Sequence, residues 1–184
     1  MGIILEVQRW LKERMDENLY IHSISSAELA GEIAKKYGAS EEKAQLACLI
    51  HDCAKPYTIK DQLGFAKSFN IQLDEIEKNN PSLLHALIGP EIFEKTFGVI
   101  HPSVKRAVRL HTTGDANMEL LDKVVYVADS LEMNRHYPGL VQIREKVRWD
   151  IDSALFLVLQ HKIHHTMENR RQIHPRVLAM WNWL

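Results

Sequence analysis

A short apolar run, Leu49-Ile50, leads directly into a histidine and an aspartate side by side, His51-Asp52, followed by Cys53-Ala54-Lys55. This stretch constrains the fold more than any other. Neither polar side chain belongs at the end of a buried helix unless something pairs with both, because an uncompensated buried charge costs roughly several kcal/mol or more. A metal ion satisfies both at once. The imidazole offers a neutral nitrogen, the carboxylate a charged oxygen, and the carbonyl end of a helix already favours a cation. Taken alone, a His-Asp dipeptide is more often an aspartate orienting a structural histidine, so the rest of the chain has to decide.

At 184 residues the chain has the size of one domain, read as residues 1–184, and can bury a core that needs neither disulfide nor structural zinc. Lys plus Arg number 23 against 24 Asp plus Glu, a balance that gives no sign of a nucleic-acid or membrane-surface binder. Cys48 and Cys53 flank the His-Asp pair without the Cys-x-x-Cys spacing of a zinc knuckle, and they read as small core residues of a reduced, cytoplasmic protein. The N-terminal stretch Met1 to Glu6 meets charge too early for a signal peptide, and Glu6 stands where myristoylation needs Ser or Thr. No apolar run approaches the length of a membrane span.

Helical periodicity runs through the chain. Ile3, Ile4, Val7, Trp10, Leu11 and Met15 predict a first amphipathic helix, and Ile21, Ile24, Ala27, Ala30, Ile33 and Ala34 a second, from about Tyr20 to Tyr37 with Gly38 as its stop. His22 fits that apolar face less well than Ile21 does. Ser40 caps a third helix that delivers His51-Asp52 and is stopped by Pro56. Thr58 with Asp61 predicts a short helix through Phe69, and residues 74–80 read as loop. Asn80-Pro81 opens a helix to Gly98 with a kink or break at Gly89-Pro90, and Pro102 opens another that ends at His111. Asn117 is the expected cap of the next, whose apolar face surrounds Asp129; the β-branched stretch Val124 to Val127 suits a strand, but the flanking period is helical. Pro138-Gly139 marks a turn, and further helices are expected around Leu140 to Val147, Ile151 to Ile163 and from Pro175. The expected fold is an all-α bundle.

His22, His51, Asp52, His85, His111 and Asp129 each fall on or at the end of a predicted apolar helix. Imidazoles and carboxylates without a thiolate suit iron, manganese, zinc or magnesium bound with open positions, and helical bundles assemble such centres from several helices. The order resembles that of the HD-domain phosphohydrolases, with an early His, a His-Asp pair and a distant Asp. More closely, His51-Asp52-Cys53-Ala54-Lys55, Leu84 to Gly89, His111-Thr112-Thr113-Gly114 and Ala128 to Glu132 with Arg135 resemble the bacterial YqeK family, from about Tyr20 to the end of the chain. Pro90 and Met133 depart from its usual pattern, and neither removes a proposed ligand.

The resemblance implies a single HD-domain bundle with a metal site in its core, acting as a symmetrical hydrolase that cuts diadenosine tetraphosphate into two ADP. It implies that His22, His51, Asp52 and Asp129 hold iron, one ion or two, with His85 and His111 beside it facing phosphate or holding the second. Asp52, Lys55, His111 and Arg135 would serve catalysis, with Lys55, Arg135 and His111 balancing developing charge. Lys55, Pro56, Tyr57, Thr58, His85, His111, Arg135 and the segment Arg171, Gln172, Ile173, His174, Pro175, Arg176 would hold the nucleotide. Without the resemblance, Arg135 reads as a surface partner of Glu132, the Arg170 to Arg176 segment as a solvated basic face, and His161, His164 and His165 as surface residues. Trp181 and Trp183 read as packing or a homodimer contact. Two alternatives remain in view: an HD-domain phosphohydrolase for another nucleotide, and a nucleotide-binding HD protein without turnover.

Overall fold

The structure, a computed structural model, describes residues 2–184; Met1, where the N-terminal reading begins, lies outside them. The elements are α1 (Ile3–Lys12), α2 (Glu17–Tyr37), α3 (Glu41–Ile50), α4 (Ile59–Ser68), α5 (Glu75–Asn79), a 3₁₀ turn (Pro81–Leu83), α6 (Leu84–Phe97), α7 (Pro102–Leu110), α8 (Leu120–Leu131), α9 (Leu140–Lys146), α10 (Ile151–Glu168) and α11 (Pro175–Trp183). No strand occurs among the described residues, and the β-branched Val124 to Val127 lies within α8.

Helix α8 is the axis of the fold. Every residue from Leu121 to Leu131 except Lys123 is buried, which is what a helix apolar on nearly all sides requires. Helices α2, α3, α7, α9 and α10 pack around it, and α6 continues the layer beyond α7. A second, smaller apolar cluster, built on Ala54, Ala66, Ile88 and Ile92, seats α4 against α6. Each fully buried Leu or Ile in these clusters contributes about 1.5–3 kcal/mol of transfer free energy.

Several expected boundaries moved, for local chemical reasons. Helix α2 begins at Glu17, not near Tyr20, because the Asp16 carboxylate accepts the Leu19 N–H at 2.9 Å. Residues 74–80, expected as loop, contain α5: Asp74 accepts from the Glu77 N–H at 2.8 Å while Glu77 accepts from the Asp74 N–H at 2.9 Å. Asn117 does not cap α8. It sits at φ 57° with its carbonyl held by Arg106, and the cap is Glu119, whose N–H donates to Asp122 at 2.8 Å. The expected break at Gly89-Pro90 is absent, and α6 runs unbroken from Leu84 to Phe97. Gly89 lets the α6 backbone approach the turn after α3, with the Cys53 thiol donating to its carbonyl at 3.5 Å. A Cβ there would meet Cys53 Sγ at 3.2 Å, so any larger residue would have to push that side chain back by a few tenths of an ångström.

Candidate metal centre

Helix α3 ends at Ile50, and successive i to i−3 hydrogen bonds carry the chain through Cys53, Lys55 and Tyr57. That tight turn presents His51 and Asp52 inward, both with no exposed surface. Ser40 caps the start of α3, so the helix is held at both ends and its fully buried Ala47, Cys48, Leu49 and Ile50 set the direction of the turn. Helix α2 contributes His22, whose side chain is 12% exposed, whereas Ile21 is 42% exposed. The helix therefore faces its histidine inward and its isoleucine outward, the reverse of what apolar spacing suggests. Helices α6, α7 and α8 bring His85, His111 and Asp129, all buried.

Six side chains meet at this point. His22 Nε2 lies 3.1 Å from His51 Nε2 and 3.2 Å from Asp129 Oδ1. His51 Nε2 is 3.2 Å from Asp52 Oδ2 and 3.7 Å from Asp129 Oδ1. On the other side of Asp52, Oδ1 faces His85 Nε2 at 3.2 Å and His111 Nε2 at 3.6 Å, and those two nitrogens are 3.1 Å apart. Within each of the triples His22, His51, Asp129 and His51, Asp52, His111, the donor atoms lie within 4.8 Å of one another. Asp52 joins the two halves, one carboxylate oxygen in each.

The other ring nitrogens explain why the Nε2 atoms point inward. His51 Nδ1 donates to the Cys48 carbonyl at 2.5 Å and His111 Nδ1 to the Val108 carbonyl at 2.7 Å. Because a carbonyl only accepts, each Nδ1 must carry the hydrogen, which leaves the Nε2 lone pair for a cation. His22 Nδ1 lies 3.2 Å from Glu132 Oε1, which orients that ring in the same sense. The carboxylates of the centre also shift the ionisation of its imidazoles. Burial tends to lower the His51 pKa, but Asp52 and Asp129 outweigh it and push the imidazole up to about 9, so without a cation Nε2 holds a proton that a bound cation would displace. Burial opposes ionisation of Asp52 and Asp129, yet their histidine partners, and for Asp129 also Lys162, hold both carboxyls well below the usual range.

These residues fit a divalent cation. Pairs of inward Nε2 atoms stand 3.1 Å apart, two ionised carboxylates face them, and Asp52 Oδ1 is buried without a hydrogen-bond partner. Nitrogen and oxygen donors with no thiolate suit a transition metal with open positions. A third acidic cluster does not behave this way. His174 Nδ1 accepts the Arg176 N–H at 3.1 Å as the cap of α11, so Nε2 carries the proton and faces Asp74 Oδ2 at 2.9 Å. That proton occupies the position a cation would need, although the contact with Asp74 is an ion-pair distance only and leaves His174 Nε2 buried without a hydrogen-bond partner.

Cations ring the centre. Lys55 Nζ lies 2.6 Å from Asp52 Oδ2, and Arg135 donates to Asp129 Oδ1 at 2.8 Å and to the Asp129 carbonyl at 3.1 Å. Arg135 is therefore directed at the site rather than at a surface pairing with Glu132, from which its Nε is 3.8 Å away. Lys55, Tyr57, Thr58, His85, Arg171 and Gln172 line a cavity of about 910 Å³ next to the centre. Ile173 lies with Arg171 and Gln172 on a smaller cavity of about 180 Å³. Pro56 is exposed in the turn and lines neither of these two. Pro175 is the first residue of α11, and Arg176 turns towards Glu77 at 3.9 Å and Asp115 at 3.7 Å. His111 differs from its sequence reading: burial, with repulsion from His51 and His85, lowers its pKa to about 4 despite Asp52. A neutral ring offers a lone pair and not a positive charge.

Two residues that touch the centre escaped the sequence reading. Glu132 is 2% exposed and contacts His22, and its backbone carbonyl accepts from Arg144. The signal was available, since an acid at the C-terminus of an apolar helix opposes the helix dipole and needs a partner. Lys162 lies 3.5 Å from Asp129 Oδ2, donates to the His111 carbonyl at 3.0 Å and sits 3.9 Å over the Tyr126 ring. Burial lowers its pKa although Asp129 pulls the other way. Its position, four residues after Val158 and three after Leu159, puts it on the buried stripe of α10. Glu132→Gln keeps the shape but weakens the acceptor for His22, and is expected to lower metal affinity by about 10–100-fold. Titration with a competing chelator checks this, and an unchanged affinity would remove Glu132 from the centre.

Comparison with known proteins agrees with this geometry. The HD domain family matches residues 19–134. The chain is 31% identical to a protein of Bacillus subtilis named symmetrical bis(5'-nucleosyl)-tetraphosphatase, over 95% of this chain and 93% of that one. A protein of the same name from Halalkalibacterium halodurans is 33% identical over 95% and 92% of the two chains. The crystal structure of a predicted HD superfamily hydrolase involved in NAD metabolism, from Clostridium acetobutylicum, superposes with a TM-score of 0.94 at 28% identity, covering 100% of this chain and 97% of that one. Matched across its centre by the family and along nearly its whole length by these tetraphosphatases, the chain belongs to the HD-domain family and, within it, to the YqeK-like symmetrical tetraphosphatases.

Proposed function

We propose that this chain hydrolyses diadenosine tetraphosphate at its central anhydride, giving two ADP, with divalent iron held by His22, His51, Asp52 and Asp129. The observation that carries the reading is the meeting of four imidazoles with the Asp129 and Asp52 carboxylates, Asp52 Oδ1 being buried without a hydrogen-bond partner. His85 and His111, on the far side of Asp52, would hold a second ion. A bound divalent ion supplies Lewis acidity towards the phosphate and makes water a nucleophile at neutral pH.

The chain's own residues do the rest. Lys55 and Arg135, both reaching the carboxylates from partly exposed positions, bind the phosphate oxygens and offset charge that builds as the anhydride breaks. Arg135 is suited to this because its planar guanidinium grips phosphate through two hydrogen bonds. Arg171 and Gln172 hold the nucleotide in the cavity shared with Lys55 and His85. Lys162 keeps Asp129 ionised and fixes the end of α7 through the His111 carbonyl. No described helix is long and apolar enough to cross a membrane. The exposed apolar faces of Trp181 and Leu184 support a homodimer contact at the C-terminus.

Rates on a panel of diadenosine tetraphosphate, a nucleoside monophosphate, a deoxynucleoside triphosphate and a cyclic nucleotide test the substrate class. The expected kcat/KM for diadenosine tetraphosphate exceeds the others by about tenfold or more. Preference for another panel member would move the reading to a different nucleotide, and bound iron with no turnover would make the chain a nucleotide-binding protein. Removing the metal is also expected to lower the melting temperature. A ligand at about a hundred times its Kd stabilises the fold by about 2.7 kcal/mol, roughly 5–10 °C for a chain of this size. Thermal melts with and without chelator check this, and superimposable curves would contradict metal binding by the folded state.

A further inference from the structure

A second cavity, of about 650 Å³, reaches the centre from another side. It touches Asp129, whereas the cavity of about 910 Å³ touches His85, and the two share no lining residue. Both volumes lie within the roughly 300–1,000 Å³ usual for small-molecule sites. The composition of the second cavity changes with depth. Its inner end carries Arg135 and Lys162 against Asp129. Its outer wall is aromatic: Tyr137 stacks on His161 at 3.8 Å and 14°, and His161 faces His165 at 6.5 Å and 26°.

We propose that this second cavity holds the second nucleoside of the substrate, its base stacked on His161 and His165 while Arg135 and Lys162 bind the adjoining phosphates. The inference rests on the proposed cleavage of diadenosine tetraphosphate. That substrate consists of two identical halves, each a base, a sugar and two phosphates, joined at the bond that is cut. A centre with a cation-lined cavity on each of two sides can hold both halves. The separation of 3.8 Å between Tyr137 and His161 is a closed stack, while 6.5 Å between His161 and the exposed His165 leaves an open face for a planar ring. Base–aromatic stacking is tolerant of sequence because every base has a π face.

Decoration of a solvent-facing helix does not account for the arrangement. His164 is such a residue, 73% exposed and paired with Glu168 at 3.1 Å. His161 instead meets a ring delivered by the segment between α8 and α9, and Tyr137 is anchored there by donating to the Ser130 carbonyl at 3.0 Å, one residue from Asp129. Burial, with His165 and Lys162 nearby, lowers the His161 pKa, which keeps the ring neutral and suited to stacking.

Equilibrium dialysis of labelled ADP against the iron-loaded protein under anaerobic conditions tests the proposal. The expected stoichiometry is two ADP per chain, falling to one in His161→Ala and returning to two in His161→Phe, which keeps the stacking face. In hydrolysis of diadenosine tetraphosphate, His161→Ala is expected to raise KM about tenfold, with a smaller fall in kcat, as suits the loss of one base stack. Two ADP bound by His161→Ala with an unchanged KM, or a single ADP bound by the unaltered protein, would overturn the inference. Failure of the unaltered protein to cut diadenosine tetraphosphate would instead overturn the proposed function, so the two failures are separable.

Discussion

Asp52→Ala is expected to reduce turnover by about a thousandfold, because it removes a proposed ligand of the ion that supplies both nucleophile and Lewis acid, and a loss of about 4 kcal/mol of transition-state stabilisation is a factor of about a thousand. Asp52 is the residue whose two oxygens face both halves of the centre, Oδ2 towards His51 and Oδ1 towards His85 and His111. Its loss therefore leaves no shared acid between the two groups of histidines, and Lys55 loses its partner at 2.6 Å. Metal content by elemental analysis, together with kcat/KM, checks the expectation. Asp52→Asn serves as a companion of equal shape that keeps packing while removing charge. A variant that retained full metal content and more than about a tenth of the original turnover would mean that Asp52 is not at the reacting centre.

Leu49→Ala carries the largest expected effect on stability. Leu49 has no exposed surface and lies two residues before His51, packed in the main apolar cluster. Truncating a leucine in such a place costs about 2–5 kcal/mol through lost transfer energy and the cavity left behind. For a chain of this length that is a fall of roughly 5–15 °C in melting temperature. Because the same side chain holds the turn carrying His51 and Asp52, metal affinity should fall with stability. Thermal unfolding of the metal-free and metal-loaded variant separates the two effects, and a shift below about 2 °C would show that the α3 end is not packed as described.

Much of this architecture was legible because two patterns repeat without interruption. Periods of three and four residues mark α1, α2, α8 and α10, and proline or glycine marks several ends, as Gly38 does after α2 and Pro102 at the start of α7. The ligand candidates could be picked out because each puts a polar group where the apolar period calls for an apolar one. His22 shows the limit of that argument. Its neighbour Ile21 suits an apolar face better, yet the inward position goes to His22, because imidazoles and carboxylates from α3, α6, α7 and α8 are already gathered there. Periodicity measures one helix at a time and cannot register such a gathering.

The residues that were missed share a cause. Glu132, Lys162 and Tyr137 act through contacts separated by tens of residues, Glu132 with His22, Lys162 with Asp129 and Tyr137 with His161. No local pattern encodes these. The α5 cap formed by Asp74 and Glu77 was local, but it reads as a polar loop because the helix is only five residues long and shows no apolar stripe. His174 likewise looks from its neighbours like part of a basic segment, while the fold uses it to cap α11 and to meet Asp74.

The most direct measurement is the product pattern when iron-loaded protein is incubated anaerobically with diadenosine tetraphosphate and the nucleotides are separated by chromatography. The account predicts ADP as the sole product, since both cavities lead to one centre that meets the substrate at its middle. ATP and AMP in equal amounts would contradict it, because the attack would then fall off centre.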